Sequence, residues 1–304
     1  IRITVFTPVY NRKHTIHRVF DSLMKQTYKG FHWLVIDDGS TDGIKEVIDD
    51  YAKKADFEVS YYYKENGGKH TAINMACGMM ETEYVVILDS DNAMIENSLE
   101  RMLYYWDALP EEKRGEYWCV VGYTIDPYNG DVVGEKFPDN INESDNPLKV
   151  ASTVEGDKFG CLKTDILKQF PFPEPEGTTF ITESIVWNKI DREYKQYYIN
   201  EPLLIYYYDE PDSLTNAWYK EHVEEGYVSN YFWRLSQLND TGIKNADDLK
   251  LLLRVPYYGF MSKKKAKEIL KQLESPLHKV AVCAMLPPAF MLKIFRGEKH
   301  IKNG

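Results

Sequence analysis

Tyr84-Val85-Val86-Ile87-Leu88-Asp89-Ser90-Asp91 joins five apolar or aromatic residues without a break to a pair of carboxylates. An uninterrupted apolar run of this length reads as a strand buried on both faces, which is the habit of parallel sheets covered by helices. The flanking sequence repeats the pattern. Residues 1–6, 31–36 and 57–63 read as strands, and residues 197–207 as a late one. Between the early strands, residues 15–26 place Ile16, Val19, Phe20, Leu23 and Met24 on one helical face. A second helix follows Thr41 or Asp42, carrying Ile44, Val47, Ile48 and Tyr51, and a third spans 69–80. Strand–helix alternation predicts an α/β fold with a Rossmann-like, mostly parallel central sheet flanked by helices. Asn11, Asp37-Asp38, Asn66-Gly67-Gly68-Lys69 and Asp89-Ser90-Asp91 each follow a strand. Ligands of open α/β sheets bind at that carboxyl edge.

Beyond the first third the pattern changes. Residues 117–125 and 131–136 read as strands flanking a Tyr128-Asn129-Gly130 turn. The polar stretch 139–147, with Asn140, Asn142, Asp145 and Asn146, reads as a mobile loop, and Phe170-Pro171-Phe172-Pro173-Glu174-Pro175 as a rigid extended one. A helical pattern follows Thr182-Glu183 through Ile185, Val186, Trp187 and Ile190. The expected division is a catalytic region 1–215, with halves 1–92 and 93–215, and a helical C-terminal extension 216–304. In that extension Ser262 is expected to cap a helix over 263–273. Residues 280–292 are uncharged, interrupted by Pro287-Pro288 and flanked by Lys279, Lys293, Arg296 and Lys299. That run falls short of the roughly 20 apolar residues of a spanning helix. It suits either an interfacial membrane anchor or a helix packed on the catalytic domain.

Net charge of −10 and a pI near 5.3 argue against a nucleic-acid partner. The four cysteines have neither metal-ligand nor redox spacing, and read as reduced core thiols of a cytosolic protein. No signal peptide is visible at Ile1-Arg2-Ile3-Thr4-Val5, and a cytoplasmic location is expected.

Two carboxylates one residue apart, just past a buried strand, can face one hard cation, Mg²⁺ or Mn²⁺, whose shell usually keeps waters and substrate phosphates. Such a cation offsets the charge that develops on a leaving diphosphate. Asp-X-Asp alone recurs by chance. Here it comes after Thr7-Pro8-Val9-Tyr10-Asn11-Arg12, Ile36-Asp37-Asp38-Gly39-Ser40-Thr41-Asp42 and Asn66-Gly67-Gly68-Lys69, the last preceding Ala72 and Asn74. In order and spacing these resemble the nucleotide-binding half of the inverting family 2 glycosyltransferases of GT-A fold, such as those that assemble bacterial surface polysaccharides. The resemblance is strong to about residue 92 and looser to about residue 215.

It implies a metal-dependent transfer from a nucleotide-sugar, usually a UDP-sugar, to a saccharide or lipid-linked saccharide at the cytoplasmic membrane face. Asp89 and Asp91 would hold Mn²⁺ or Mg²⁺. Thr7, Pro8, Tyr10, Asn11, Asp37, Asp38, Lys69, Asp89 and Ser90 would bind the donor. Pro8 and Tyr10 offer a wall for the base, Asp37 or Asp38 accepts from base or ribose, and Lys69 neutralises phosphate. Gly67 and Gly68 permit close backbone approach to a ligand. Inversion also needs a base for the acceptor hydroxyl. The family carries an acidic pair at a helix start, matched here by Thr182-Glu183-Ser184, where serine replaces the usual Asp. Glu183 is therefore the expected catalytic base and Asp157 the reserve. Trp187 can stack on an acceptor sugar or pack in the core, and Asp209, Asp212 and Ser213 can fold over the diphosphate. His222 reads as structural. Two competing readings are a nucleotidyltransferase, disfavoured by the absence of glycine between Thr7 and Arg12, and a non-catalytic binding module on the same fold.

Overall fold

The structure, a computed structural model, describes residues 1–138, 141, 143–144, 147, 150, 153–208, 222–241, 243 and 246–302. It divides into two compact units: Ile1–Phe172 with Val186–Glu210, and Pro173–Ile185 with Pro211–Gly304. The expected boundary at 215/216 falls outside the described residues, as do Asp209, Asp212 and Ser213.

The first unit is built on a sheet of β1 (Ile3–Val9), β2 (Phe31–Asp37), β3 (Glu58–Tyr63), β4 (Tyr84–Ile87), β5 (Ala93–Met94), β6 (Tyr117–Ile125), β7 (Glu143–Ser144), β8 (Lys158–Lys163) and β9 (Lys195–Ile205). Its order is β3-β2-β1-β4-β8-β6-β9-β5, with β7 on β9. The β3-β2-β1-β4 part is parallel throughout, as the apolar runs require. Beyond it the sheet is mixed, because β8 runs antiparallel to both β4 and β6. Every residue of β1 is buried.

Helices α1 (Ile16–Met24), α2 (Ile44–Lys54), α3 (Lys69–Met79) and α4 (Ser98–Ala108) accompany these strands, followed by α5 (Thr164–Leu167) and α6 (Ser184–Glu193). The apolar face of α1 buries Ile16, Val19, Phe20 and Leu23. Phe20 stacks on Tyr51 of α2 at 4.0 Å, and Tyr84 on Trp106 of α4 at 4.8 Å. Register sets the site. Val9 pairs with Asp37, and the Leu88 N–H donates to the Phe6 carbonyl. The chain therefore leaves β1, β2 and β4 at one edge of the sheet.

Two expectations in this unit are corrected. Residues 131–136 form only a bridge from Val132 to Ile125. Gly134 takes φ +85° with its backbone against Glu155, and the Glu135 N–H donates to the Glu155 carbonyl, so the chain is drawn away before a strand can lengthen. Within the expected mobile loop, Glu143 and Ser144 pair with β9, while Asn140, Asn142, Asp145 and Asn146 lie outside the described residues.

The second unit contains α7 (Val223–Thr241), α8 (Ala246–Met261), α9 (Ala266–Gln272) and α10 (Pro276–Lys302). They enclose a core that includes Tyr231, Leu238, Val255, Ile269, Val282 and Ala289. Ser262 does not cap the next helix. Its hydroxyl donates back to the Tyr258 carbonyl, Lys263 turns at φ 61°, and α9 begins at Ala266, with the Glu268 carboxylate accepting the Lys265 N–H. Nor do Pro287 and Pro288 end α10, which stays continuous while Val282 and Ala289 are held in the core. The cysteines are all free. Cys119 and Cys161 are buried as expected, but Cys77 is only partly covered and Cys283 is exposed.

Candidate active site

The loops after β1 and β2 are tied to each other. Asn11 adopts φ 52°; its N–H donates to Ser40 Oγ at 2.9 Å and its Oδ1 accepts the Thr41 N–H at 2.8 Å. The Lys13 N–H reaches Asp42 Oδ2 at 2.8 Å. Asn11 thus fixes the loop from which Tyr10, 50% exposed, projects. Thr7 lies in the core, its hydroxyl accepting the Trp33 indole N–H, and Pro8 is buried in β1. Of the residues expected to form a wall for the base, Tyr10 presents the open ring.

Asp37 and Asp38 are almost fully buried and densely satisfied. Asp37 accepts the Ser40 N–H at 2.7 Å and the Tyr61 hydroxyl at 2.5 Å; burial, and then this bond to Asp37, drives the Tyr61 phenol upward. Asp38 accepts the Lys64 ammonium at 2.5 Å, the Gly67 N–H at 2.9 Å and the Gly68 N–H at 2.7 Å. The backbone amides of the Gly67-Gly68 turn therefore close on a protein carboxylate. Gly39 takes φ +89°, and a Cβ there would fall 2.8 Å from the Asn66 nitrogen, so only glycine lets the two loops approach this closely. Lys64 and Tyr61 belong to this framework and have no signal in the spacing.

The edge beyond β4 is different. Lys69, the first residue of α3, forms an ion pair with Asp89, which is 44% exposed. Burial, and then the neighbouring charge of Asp89, hold the Asp91 carboxyl above its usual range against the pull of Arg12 and Lys69. The turn is braced from behind: Thr15 Oγ1 donates to the Ser90 carbonyl at 3.0 Å and Arg18 to the Asp91 carbonyl at 3.2 Å. Ser90 itself is buried. Asn92 Oδ1 accepts the Tyr207 N–H at 2.9 Å, and Arg18 lies over the Tyr207 ring at 4.1 Å. This anchor brings Tyr206 to the carboxylates. Burial and then Asp157, to which its hydroxyl is bonded, push the Tyr206 phenol up to about 12, with smaller contributions from Asp89 and Asp91.

The first unit thus gathers Arg12, Lys69, Asp89, Asp91, Asp157 and Tyr206 around one point. Sequence reading missed Tyr206 and Arg18, and placed Arg12 in a motif without a role. Arg12 was findable there, whereas Tyr206 depends on a contact between segments over a hundred residues apart in the chain. Trp187 packs in the core between Trp118 and Phe172, with centroids 5.5 Å from each. Asn74 also serves structure, exchanging hydrogen bonds of 2.9 Å with the Phe172 backbone.

Glu183 belongs to the second unit, half-buried just before α6, where Thr182 and Ser184 hydroxyls bond each other at 3.1 Å. The His222 carbonyl accepts the Gly226 N–H near the start of α7.

A mixed sheet flanked by helices, with paired carboxylates just past β4, is a GT-A type of architecture. Residues 4–112 match the model of glycosyl transferase family 2. An uncharacterized glycosyltransferase of Rickettsia bellii is 35% identical over 35% of this chain and 15% of its own length. This chain therefore spans only a small part of such relatives. The GalNAc(5)-diNAcBac-PP-undecaprenol beta-1,3-glucosyltransferase of Campylobacter jejuni is 25% identical over 70% of this chain and 67% of that protein. In structure, residues 1–349 of S. aureus TarS, solved with UDP-GlcNAc, superpose with a TM-score of 0.60 at 17% identity, covering 98% of this chain and 92% of that one. That likeness establishes the fold.

Proposed function

We propose that this protein is a metal-dependent inverting glycosyltransferase that moves a sugar from a UDP-sugar to a saccharide, free or lipid-linked, in bacterial polysaccharide synthesis at the cytoplasmic membrane face. The observation that carries this reading is the exposed Asp89 carboxylate beside Asp91, at the end of β4 and facing cationic Lys69 and Arg12. The donor set fits a hard divalent cation, because both groups offer carboxylate oxygens and their mutual repulsion is relieved by positive charge. Bound there, Mn²⁺ or Mg²⁺ would act as a Lewis acid on the leaving diphosphate.

The chain's own groups do the rest. Lys69 and Arg12 offset phosphate charge, Tyr10 offers its face to the base, and the Asp37–Asp38 framework holds the loops in place. Glu183 is assigned as the base that takes the acceptor hydroxyl proton as the new glycosidic bond forms and the bond to the diphosphate breaks. Asp157 is the reserve for that role. A panel of UDP-sugars and GDP-mannose, incubated with Mn²⁺ and monitored for nucleotide release, tests the reading. UDP release from at least one UDP-sugar, abolished by chelator, is the expected result. Absence of release from every donor would remove the assignment.

A further inference from the structure

The last helix is apolar on the side that packs and on the side that does not. His278, Val282 and Ala289 are buried, Met285 and Leu286 are partly covered, and the Lys293 ammonium donates to the Phe260 carbonyl at 2.7 Å, so this side of α10 is committed to α8 and the unit core. The other side presents Leu277 at 72% exposure, Val280 at 71%, Met291, Ile294 and Phe295 in a stripe of helical spacing, with Phe290 beside it. Pro276–Phe295 is long and apolar enough to cross a bilayer by length and composition, yet only 17% of its most apolar window is buried. A helix apolar all round belongs in a core or in lipid, and a patch this long is unusual on a surface that meets only water.

Charge identifies the occupant. Residues 262–302 hold ten Lys and Arg against three Glu, a net +7, so the remainder of the chain carries −17 to give −10 overall. Two copies meeting through this segment would oppose like charge, whereas an anionic bilayer complements it. The packed face settles the orientation: a helix held along one side by α8 lies in the plane of the interface. We infer that α10 seats the second unit on an anionic lipid surface as an in-plane interfacial helix, its exposed stripe among the acyl chains near the headgroups. This deepens the membrane-face part of the proposed function by naming the surface, and does not depend on donor chemistry.

Sedimentation of the full chain with vesicles tests it, using phosphatidylglycerol-rich and pure phosphatidylcholine vesicles at low and high salt. Binding to the anionic vesicles is expected to exceed binding to neutral ones by roughly tenfold or more and to fall with salt. The variant V280E/F295E, changed at exposed positions only, is expected to lose that binding while its melting temperature and UDP binding stay unchanged. No sedimentation with anionic vesicles, or equal binding by the variant, overturns the inference. So does lipid-independent, concentration-dependent self-association that the variant abolishes. Loss of UDP binding with vesicle binding intact would count against the donor reading alone.

Discussion

Asp38 and Asp89 stand at the ends of β2 and β4, the two strands that flank β1 on either side. The Asp38 side chain is 4% exposed and accepts three internal donors, two of them backbone amides. Asp89 is 44% exposed, paired with a lysine at a helix start and set beside a second carboxylate that burial keeps above its usual range. The same side chain at the same sheet edge therefore does two jobs. Where the backbone folds back to meet it, the carboxylate shapes the loop. Where a turn leaves it facing cations, it is placed for a ligand that brings positive charge. The contrast predicts that mutations near β2 injure the fold and mutations near β4 injure chemistry.

The largest effect belongs to the carboxylate assigned as the base. Glu183→Gln is expected to lower turnover by about 100- to 10,000-fold, the range typical of general-base loss. Donor binding and melting temperature should persist. Full activity in that variant, with loss in Asp157→Asn instead, would transfer the role to Asp157. Next, Asp38→Ala leaves the Lys64 ammonium with the Glu65 carbonyl and strands two amides, and should cost about 3–5 kcal/mol in denaturant unfolding. A near-neutral result would erase the contrast between the two loops.

Asp191 sharpens it further. Burial, opposed by hydrogen bonds from Gln196 and Trp118, raises this carboxyl to about 6. The folded state therefore holds the proton more tightly than the unfolded chain. Its stabilising contribution is present below the unfolded value near 4 and is lost as pH rises through about 6. Asp191→Asn should remove that slope and, at pH 8, be more stable than wild type by on the order of 2–3 kcal/mol. Parallel pH–stability profiles for the two proteins would contradict this. The smallest effect is on the stability of Asp89→Ala, expected below about 1 kcal/mol because the lost ion pair is partly solvated and its loss relieves the like charge beside Asp91.

The legible part of this molecule is the part whose signals are local. Strand β4 announced itself by an unbroken apolar run, its carboxylates by following that run, and β1 to β3 by strand-like segments alternating with helical patterns. The parallel order of these strands then had few alternatives. What stayed hidden is set by distant contacts. Asp38 read as a ligand contact because nothing in the sequence shows that Gly67 and Gly68 turn their amides to it. Tyr206 was invisible because its place depends on Asn92 holding the Tyr207 backbone. Residues 131–136 follow a hairpin turn signal, but Gly134 is pulled against Glu155. Ser262 has the chemistry of a cap, and the left-handed Lys263 removes it from the position where a cap is needed.

The most direct test of the central claim is calorimetric titration of UDP into wild type and Asp89→Ala, each with Mn²⁺ and with chelator. The account predicts Mn²⁺-dependent binding in the wild type that weakens by at least roughly a hundredfold in the variant, more than loss of a group that only orients a metal ligand usually costs, while both proteins melt alike. Mn²⁺-dependent UDP binding of equal strength in Asp89→Ala would contradict it.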